Sequence, residues 1–299
     1  MATAAPVETA PPVDTVSPAS PASRPEAPFS VLHLEQTFVD TLRPTPKTST
    51  APELPSRTIV TSLVVPEAPG PFPLIVLSHG LTGTPAKLTR LADAWATAGF
   101  VVALPAFPLT NGSVPDAAAN AGDIVNQPAD VSFVIDQVLA LNADDTSRLY
   151  GRVDGDRIGV AGHSLGAATT YGVTFSPCCT DDRIDAVVIL AGLVLVQPDE
   201  NDYSRPLPVM IVHGDADPVL DISLDTDVYA QLAGPKWFVT LHGGTHSTGF
   251  ENLGTPYDAI VDASTTDFWD ATLGGSATAA DALRRAAVVD GLSSLETSE

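Results

Sequence analysis

The fold is decided by the stretch RIGVAGHSLG at residues 157–166, which is followed by AATTYGVTF at residues 167–175. The apolar run 157–161 predicts a buried strand, and residues 167–175 favour a helix. The sequence Gly-His-Ser-Leu-Gly then forms a sharp turn between strand and helix, which lifts the hydroxyl of Ser164 clear of the backbone. Glycine flanks this turn because a Cβ at position 162 or 166 would collide with the neighbouring helix or strand. The stretch therefore predicts a nucleophile elbow with Ser164 as the nucleophile.

An acid for this nucleophile is predicted in the loop after the apolar run 207–212. Chains with this elbow carry their catalytic residues in the order serine, acid, histidine. Asp217 is the predicted acid, because Pro218 disfavours helical backbone angles at residue 217 and holds the aspartate extended at the end of the strand. Asp215, two residues earlier in the same loop, remains the alternative.

The base is predicted in the glycine-rich loop HGGTHS at residues 242–247, which follows the strand-like run 236–241. The loop contains two histidines. His246 is the predicted base, because the Gly-Gly pair before it lets the chain fold back towards Ser164, whereas His242 still continues the strand. Ser164, Asp217 and His246 are therefore predicted to form a catalytic triad.

Two backbone N–H groups are predicted to stabilise the oxyanion of a reaction at Ser164. One belongs to Leu165, the residue directly after the nucleophile. The other belongs to Leu81, in the flexible turn that follows the apolar run 73–78. The side chains of Leu81 and Leu165 are expected to line the acyl or alcohol pocket.

These motifs resemble the α/β-hydrolase superfamily, and within it the dienelactone-hydrolase-like and platelet-activating-factor-acetylhydrolase-like group. They are also similar to bacterial cutinase-type polyesterases. The resemblance runs from about Thr37 to about Leu273, includes residues 39–44 and 78–80, and shows no inserted lid domain. It implies a carboxylic-ester hydrolase that needs no metal or organic cofactor. Dienelactone hydrolases proper use a cysteine where this chain has Ser164, so a lactone substrate of their kind is not expected.

The remaining sequence alternates strand patterns with helical patterns. This alternation predicts an α/β fold: a mainly parallel central sheet of about eight strands with helices on both faces and the ligand site at the carboxyl ends of the strands. Helical spacing of apolar residues is found at 87–98, 130–141, 221–232 and 257–272. The candidate strands are 34–40, 57–65, 73–78, 100–104, 157–161, 186–191, 207–212 and 237–241.

Composition divides the chain into three parts. Residues 1–28, rich in Ala and Pro, are predicted to be a disordered linker. Residues 29–275 are predicted to form the catalytic domain, and residues 276–299 a C-terminal helix with a frayed tail. The linker has neither a basic region nor a continuous apolar run, but its composition is typical of a segment directly after a signal peptide. We therefore expect an exported protein, with a cytoplasmic enzyme as the alternative.

The net charge of the chain argues against two classes of partner, nucleic acids and anionic membranes. The formal net charge of -22 argues against nucleic acid, because a phosphate backbone would be repelled and no Lys/Arg cluster offsets the repulsion. It also disfavours anionic membrane surfaces. No apolar run has the length of a transmembrane helix. A monomer is the favoured state, and no metal or other cofactor is expected.

The two cysteines, Cys178 and Cys179, are adjacent in the sequence. Their spacing does not match a zinc site. A vicinal disulfide is one possibility and would suit an exported protein, whereas two free thiols would be the simpler state in a reducing cytosol.

Taken together, the motifs predict a serine-dependent carboxylic-ester hydrolase that acts on short to medium acyl esters or on polyesters. The same triad geometry also serves acyltransferases and peptidases, and these remain alternatives. A third alternative is a non-catalytic binding module on the hydrolase fold.

Overall fold

The computed structural model describes residues 28–115 and 119–298, so the linker predicted at residues 1–28 lies outside the described residues except for Pro28. The strands are β1 (Val31–Asp40), β2 (Arg57–Pro66), β3 (Phe72–Ser78), β4 (Val101–Ala106), β5 (Val153–His163), β6 (Ile184–Leu190), β7 (Val209–Gly214), β8 (Lys236–Leu241) and β9 (Ser293–Ser298). The helices are α1 (Thr89–Thr97), α2 (Gln127–Ala143), α3 (Leu165–Phe175), α4 (Ser223–Gln231), α5 (Asp258–Thr272) and α6 (Ala279–Ala287). Short 3-10 helices, Pro85–Leu88 and Ala121–Asn126, precede α1 and α2.

The strands form one sheet in the order β1-β2-β4-β3-β5-β6-β7-β8-β9. The six strands from β4 to β8 in this order are mutually parallel. β1 and β2 at one edge, and β9 at the other, run antiparallel to their neighbours. The predicted α/β architecture with a mainly parallel sheet is confirmed, with nine strands in the described part of the chain where about eight were expected.

The apolar core lies in two layers, one on each face of the sheet. Helices α2, α3 and α4 pack on one face, and helices α1, α5 and α6 pack on the other. Strand β3 is buried along its whole length, because both of its faces are covered. The central strands therefore place the ends of β5, β7 and β8 at fixed positions along one edge of the sheet.

The C-terminal prediction was wrong in part. A helix is present at α6, but the residues after it form strand β9 rather than a fraying helix end. The chain turns at Gly291, where φ is +70°, and β9 then pairs with β8 from Ser293 opposite Leu241 to Ser298 opposite Lys236. This pairing satisfies backbone N–H and C=O groups of β8 that would otherwise lie at the edge of the sheet.

Among the residues 28–115 and 119–298, no helix has the length and apolarity needed to span a membrane.

Candidate active site

Ser164 lies between the last residue of β5 and the first residue of α3. Its backbone has a conformation that residues other than glycine rarely adopt. Its φ is 57° and its ψ is -119°. A Cβ built on Gly162 would lie 2.0 Å from the carbonyl oxygen of Gly166, and one built on Gly166 would lie 2.2 Å from the carbonyl oxygen of Ser78. No side chain fits at such distances, so glycine at both positions is what allows β5, α3 and β3 to meet at this turn.

The imidazole of His246 lies between Ser164 and Asp217. Its Nε2 is 2.8 Å from the Oγ of Ser164, and its Nδ1 is 2.7 Å from Oδ2 of Asp217. The carboxylate accepts a hydrogen bond from the N–H at Nδ1, which leaves the lone pair of Nε2 facing the serine hydroxyl. Three residues that are separated by up to 82 positions in the sequence therefore form one chain of hydrogen bonds.

The side chain of Asp217 is fully buried and is held by its own loop. Its Oδ1 accepts hydrogen bonds from the backbone N–H groups of Val219, at 2.7 Å, and Leu220, at 3.0 Å. Burial raises the pKa of Asp217, but the hydrogen bonds from Leu220, His246 and Val219 together outweigh burial and hold the pKa below its ordinary value. The carboxyl group therefore stays ionised beside His246.

The two alternatives that the sequence left open pair with each other at the surface. His242 Nδ1 lies 2.9 Å from Oδ2 of Asp215, and the N–H of Gly243 donates to Oδ1 of Asp215 at 2.7 Å. The side chains of both residues are about two fifths exposed. The structure therefore brings Asp217 and His246 to Ser164, and places Asp215 and His242 in a separate hydrogen-bonded pair.

The turn after β3 lies directly against the candidate nucleophile. A Cβ on Gly80 would lie 3.1 Å from the Cβ of Ser164. In this turn the N–H of Thr82 donates to the carbonyl of Thr110 and the N–H of Gly83 donates to the carbonyl of Gly80, and none of the described hydrogen bonds uses the N–H of Leu81. Leu165 is the first residue of α3, so its N–H has no acceptor within the helix. Within the described part of the chain, both predicted donors are thus free of other backbone partners.

His79 fixes the conformation of the same turn. Its Nδ1 donates to the carbonyl of Gly80 at 2.7 Å, and its Nε2 accepts from the N–H of Phe107 at 3.2 Å. An imidazole with one donating and one accepting nitrogen is neutral. Burial lowers the pKa of His79 to about 4, in agreement with that state. The bond to Phe107 joins the loop after β3 to the loop after β4.

The apolar side chains around the site come from several loops. Leu165 is buried in a small cluster with Ile124, Ala168 and Val196, against which Leu193 and Cys179 pack. Leu81, Leu195 and Val219 are the exposed apolar residues of the loops after β3, β6 and β7, at 44%, 42% and 64% exposure. Apolar side chains are therefore exposed in three of the loops that follow the sheet strands, although the whole chain is strongly acidic.

The two adjacent cysteines are joined by a disulfide bond. The turn that contains them is bound to the loop after β6, because Oε1 of Gln197 accepts from the N–H of Cys178 at 3.0 Å and from Oγ of Ser176 at 2.9 Å. Since Cys179 also packs on the Leu165 cluster, the disulfide turn supports one side of the candidate site.

A cavity of about 580 Å³ lies beside the turn after β3. Its walls come from β1, β2, the end of β4 and the segments 45–54, 84–86 and 108–114. The last segment is bonded to the turn, since the N–H of Gly112 donates to the carbonyl of Gly83 at 2.7 Å. Within the described residues, no group of three or more His, Cys, Asp or Glu side chains is arranged to hold a metal ion.

A mainly parallel sheet with helices on both faces, and a serine at a strained strand-to-helix turn that bonds a histidine, together define an α/β-hydrolase. Within this class the chain belongs to the PETase family, described as PET hydrolase-like, whose sequence profile matches residues 65–256. The protein is therefore a carboxylic-ester hydrolase.

A solved structure with the same fold is the ferulic acid esterase from Streptomyces cinnamoneus. It is 21% identical to this chain, the match covers 85% of this chain and 93% of that one, and the TM-score is 0.65. At this identity the likeness concerns the fold. Among curated proteins, none matches the chain significantly.

Proposed function

We propose that this protein hydrolyses carboxylic esters through a covalent acyl-enzyme on Ser164. The observation that carries the proposal is the hydrogen-bond chain from Ser164 Oγ through His246 to Asp217, at 2.8 and 2.7 Å. An alignment of this kind activates an otherwise weak serine nucleophile, because the neighbouring imidazole can take its proton as the hydroxyl attacks.

In the first half of the reaction, Ser164 Oγ forms a bond to the ester carbonyl carbon while its proton moves to Nε2 of His246. The N–H groups of Leu165 and Leu81 stabilise the negative charge on the carbonyl oxygen. The bond to the alkoxy group then breaks, and His246 gives its proton to the departing alcohol. In the second half, His246 takes a proton from water, the hydroxide attacks the acyl carbon, and Ser164 is released with its proton restored.

The substrates we propose are uncharged esters of short to medium acyl chains, and polyesters. The exposed apolar residues Leu81, Leu195 and Val219 support this choice, because they offer contacts to hydrocarbon and none to an ionised group. The family is named for the hydrolysis of PET, and the structural neighbour is a ferulic acid esterase. PET and ferulic acid esters are both esters of aromatic acids, so we include esters with aromatic acyl groups among the test substrates.

The test combines active-site labelling with turnover. The purified protein is treated with a fluorophosphonate probe, the labelled residue is identified by mass spectrometry, and p-nitrophenyl esters of increasing chain length, methyl ferulate and bis(2-hydroxyethyl) terephthalate are assayed. We expect labelling at Ser164 and hydrolysis, both abolished in Ser164→Ala. Ser294→Ala, an exposed serine in β9, is the matched control and should behave as the unmodified chain.

The other functions considered for this triad give different results in the same assays. Labelling of Ser164 with faster acyl transfer to an added alcohol than to water would indicate an acyltransferase, and amide cleavage without ester preference would indicate a peptidase. A folded protein that neither reacts with the probe nor turns over any ester would contradict the proposal and favour a binding module.

We also propose that the enzyme is exported. The support is the Cys178–Cys179 disulfide, since such bonds persist in oxidising compartments and are rare in the cytosol. Fractionation of the native cells, with immunodetection of the protein in medium, envelope and cytosol, tests this directly. Recovery in the cytosolic fraction alone would contradict it.

A further inference from the structure

His213 lies behind the candidate triad, and its side chain is fully buried at the end of β7. Its Nδ1 is 2.7 Å from Oδ2 of Asp225, and its Nε2 is 3.1 Å from the carbonyl oxygen of Leu220 and 3.3 Å from Oδ2 of Asp217. All of these neighbours are acceptors. A neutral imidazole has only one N–H, so it would turn a lone pair towards an oxygen on one side. Only an imidazolium, which has two N–H groups, satisfies both sides.

The anion that balances this charge is Asp225 of α4, which is also fully buried. Its Oδ1 accepts from the hydroxyl of Tyr171 at 2.7 Å, and its Oδ2 accepts from the N–H of Gly192 at 2.7 Å. Burial, together with the nearby Asp225, raises the pKa of Tyr171 well above its ordinary value, so the phenol remains a donor. The carboxylate of Asp225 thus accepts three hydrogen bonds, from Tyr171, Gly192 and His213.

Three other titratable groups lie near His213. Asp221 lies in the same loop, where its carboxylate is bonded by Ser223. His246 lies on the far side of Asp217, and His163 packs on His246 with ring centroids 5.0 Å apart. Burial lowers the pKa of His163 to about 4, so this ring is neutral near pH 7. The charged groups that meet at His213 are therefore the two carboxylates of Asp217 and Asp225.

We propose that His213 is a permanently protonated, buried positioning residue that shares the carboxylate of Asp217 with His246. The oxygen Oδ2 of Asp217 then lies between the N–H of His246, which donates to it at 2.7 Å, and the positive charge of His213 at 3.3 Å, which attracts it from the other side. The positive charge of His213 also weakens the attraction of Asp217 for a protonated His246. Burial lowers the pKa of His213, but the hydrogen bond and charge of Asp225, together with the bond to Leu220 and the charge of Asp217, outweigh burial and raise the pKa, in agreement with the geometry. The inference rests on the proposed function, because it assigns His213 a role in that reaction.

The positive charge of His213 should shift the pH dependence of kcat/KM in one direction. His246 must be neutral to accept the proton of Ser164, so kcat/KM falls on the acid side where His246 becomes protonated. Removing the cation at residue 213 stabilises protonated His246. The acid limb of the kcat/KM profile should therefore move to higher pH, by roughly 0.5 to 1 pH unit for a charge at this range in a partly solvated site. A residue with only a packing role would lower kcat without moving the limb.

The kinetic experiment compares His213→Gln, the double variant His213→Gln/Asp225→Asn, and His242→Gln. Glutamine keeps a donor towards the carbonyl of Leu220 without the charge, and the double variant also removes the buried anion whose unpaired charge would oppose folding. We expect the acid limb to move upwards in His213→Gln and, by a smaller amount, in the double variant. His242→Gln removes the exposed partner of Asp215 and should leave the limb unchanged. A folded double variant with the limb at the position of the unmodified enzyme would overturn the inference.

The protonation state can be measured without any turnover. In protein labelled with ¹⁵N-histidine, the resonances of His213 are identified by their loss in the double variant. We expect both ring nitrogens to keep protonated chemical shifts from pH 6 to pH 8. A neutral tautomer in this range would overturn the inference even if the esterase proposal holds. Inactivity with a protonated His213 would instead contradict the proposed function.

Discussion

The Nε2 of His163 donates a hydrogen bond to the backbone carbonyl oxygen of His246, at 2.8 Å. The residue directly before the candidate nucleophile therefore fixes the loop that carries the candidate base. His163 is buried, and its ring is also packed against Phe250, with centroids 5.3 Å apart. Two sides of the site that are distant in sequence are thus joined by one side chain.

Replacing His163 by leucine should impair catalysis more than it impairs folding. The carbonyl of His246 would be left without its donor, at a cost of about 1 to 3 kcal/mol, and the imidazole would be held less precisely over Ser164. We expect kcat/KM for p-nitrophenyl butyrate to fall roughly ten- to a hundred-fold, in line with that cost. His163→Gln keeps an N–H donor and should lose less. Equal activities in the unmodified enzyme and His163→Leu would contradict this role.

The buried neutral imidazoles of His79 and His163 should make the protein sensitive to acid. Burial lowers the pKa of each to about 4, whereas the ordinary value is 6.5. Below pH 6.5 the unfolded chain binds protons that the folded chain does not, so the stability from these groups is complete above pH 6.5 and is lost as the pH falls towards 4. The raised pKa of His213 acts in the opposite sense, since its contribution is lost as the pH rises.

Urea unfolding at pH 7 and pH 5 measures this effect. His79 and His163 destabilise the fold as the pH falls, whereas His213 alone stabilises it. We therefore expect the free energy of unfolding to be lower at pH 5 by roughly 3 kcal/mol. His163→Gln removes one of the two groups and should show a smaller difference between the two pH values. A stability that is equal at pH 7 and pH 5 in the unmodified protein would show that these rings are not buried in their neutral form.

Gly166→Ala should abolish activity and destabilise the fold. The added Cβ would lie 2.2 Å from the carbonyl oxygen of Ser78, and backbone on both sides cannot yield as a flexible side chain would. The expected loss of stability is about 3 kcal/mol or more, as for other overpacked sites. Gly122→Ala is the matched control, because its Cβ would lie 3.1 Å from the movable Oδ1 of Asn120. Thermal melting and ester turnover of both variants distinguish the two sites.

Arg57 stabilises the far edge of the sheet through a buried charge cluster. Its guanidinium is bonded to Asp123, at 2.9 and 3.1 Å, and to Asp130, at 2.5 and 2.8 Å, with all three side chains fully buried. Arg57→Met leaves the two carboxylates buried without their main cation. Breaking such a cluster costs about 3 to 5 kcal/mol of the free energy of unfolding.

The partly exposed pair of Lys87 and Glu251, at 3.4 Å, provides the comparison for Arg57. Lys87→Met should cost less than about 1 kcal/mol, because water screens exposed pairs. Urea titration of both variants measures the difference. Similar losses for Arg57→Met and Lys87→Met would argue against a structural role for the buried cluster.

Local sequence was sufficient for features that depend on neighbours along the chain. The elbow is one, because the glycines at 162 and 166 and the strand and helix around Ser164 are all specified within about twenty residues. The parallel sheet is another, since it follows from alternating strand and helix patterns. The candidate triad and both oxyanion donors were predicted from chain order and loop composition, and their roles remain predictions for the labelling and kinetic experiments.

The contacts across the sheet were decided by the tertiary structure alone. Nothing within SSLETS at residues 293–298 indicates that it will pair with β8, because an edge strand takes its partner from another part of the chain. His213 has no distinguishing pattern in the sequence, yet it meets Asp217, Asp225 and, through Asp225, Tyr171 of another helix. A segment's own residues set its local conformation, whereas its partners depend on which strands and helices become neighbours when the whole core is buried.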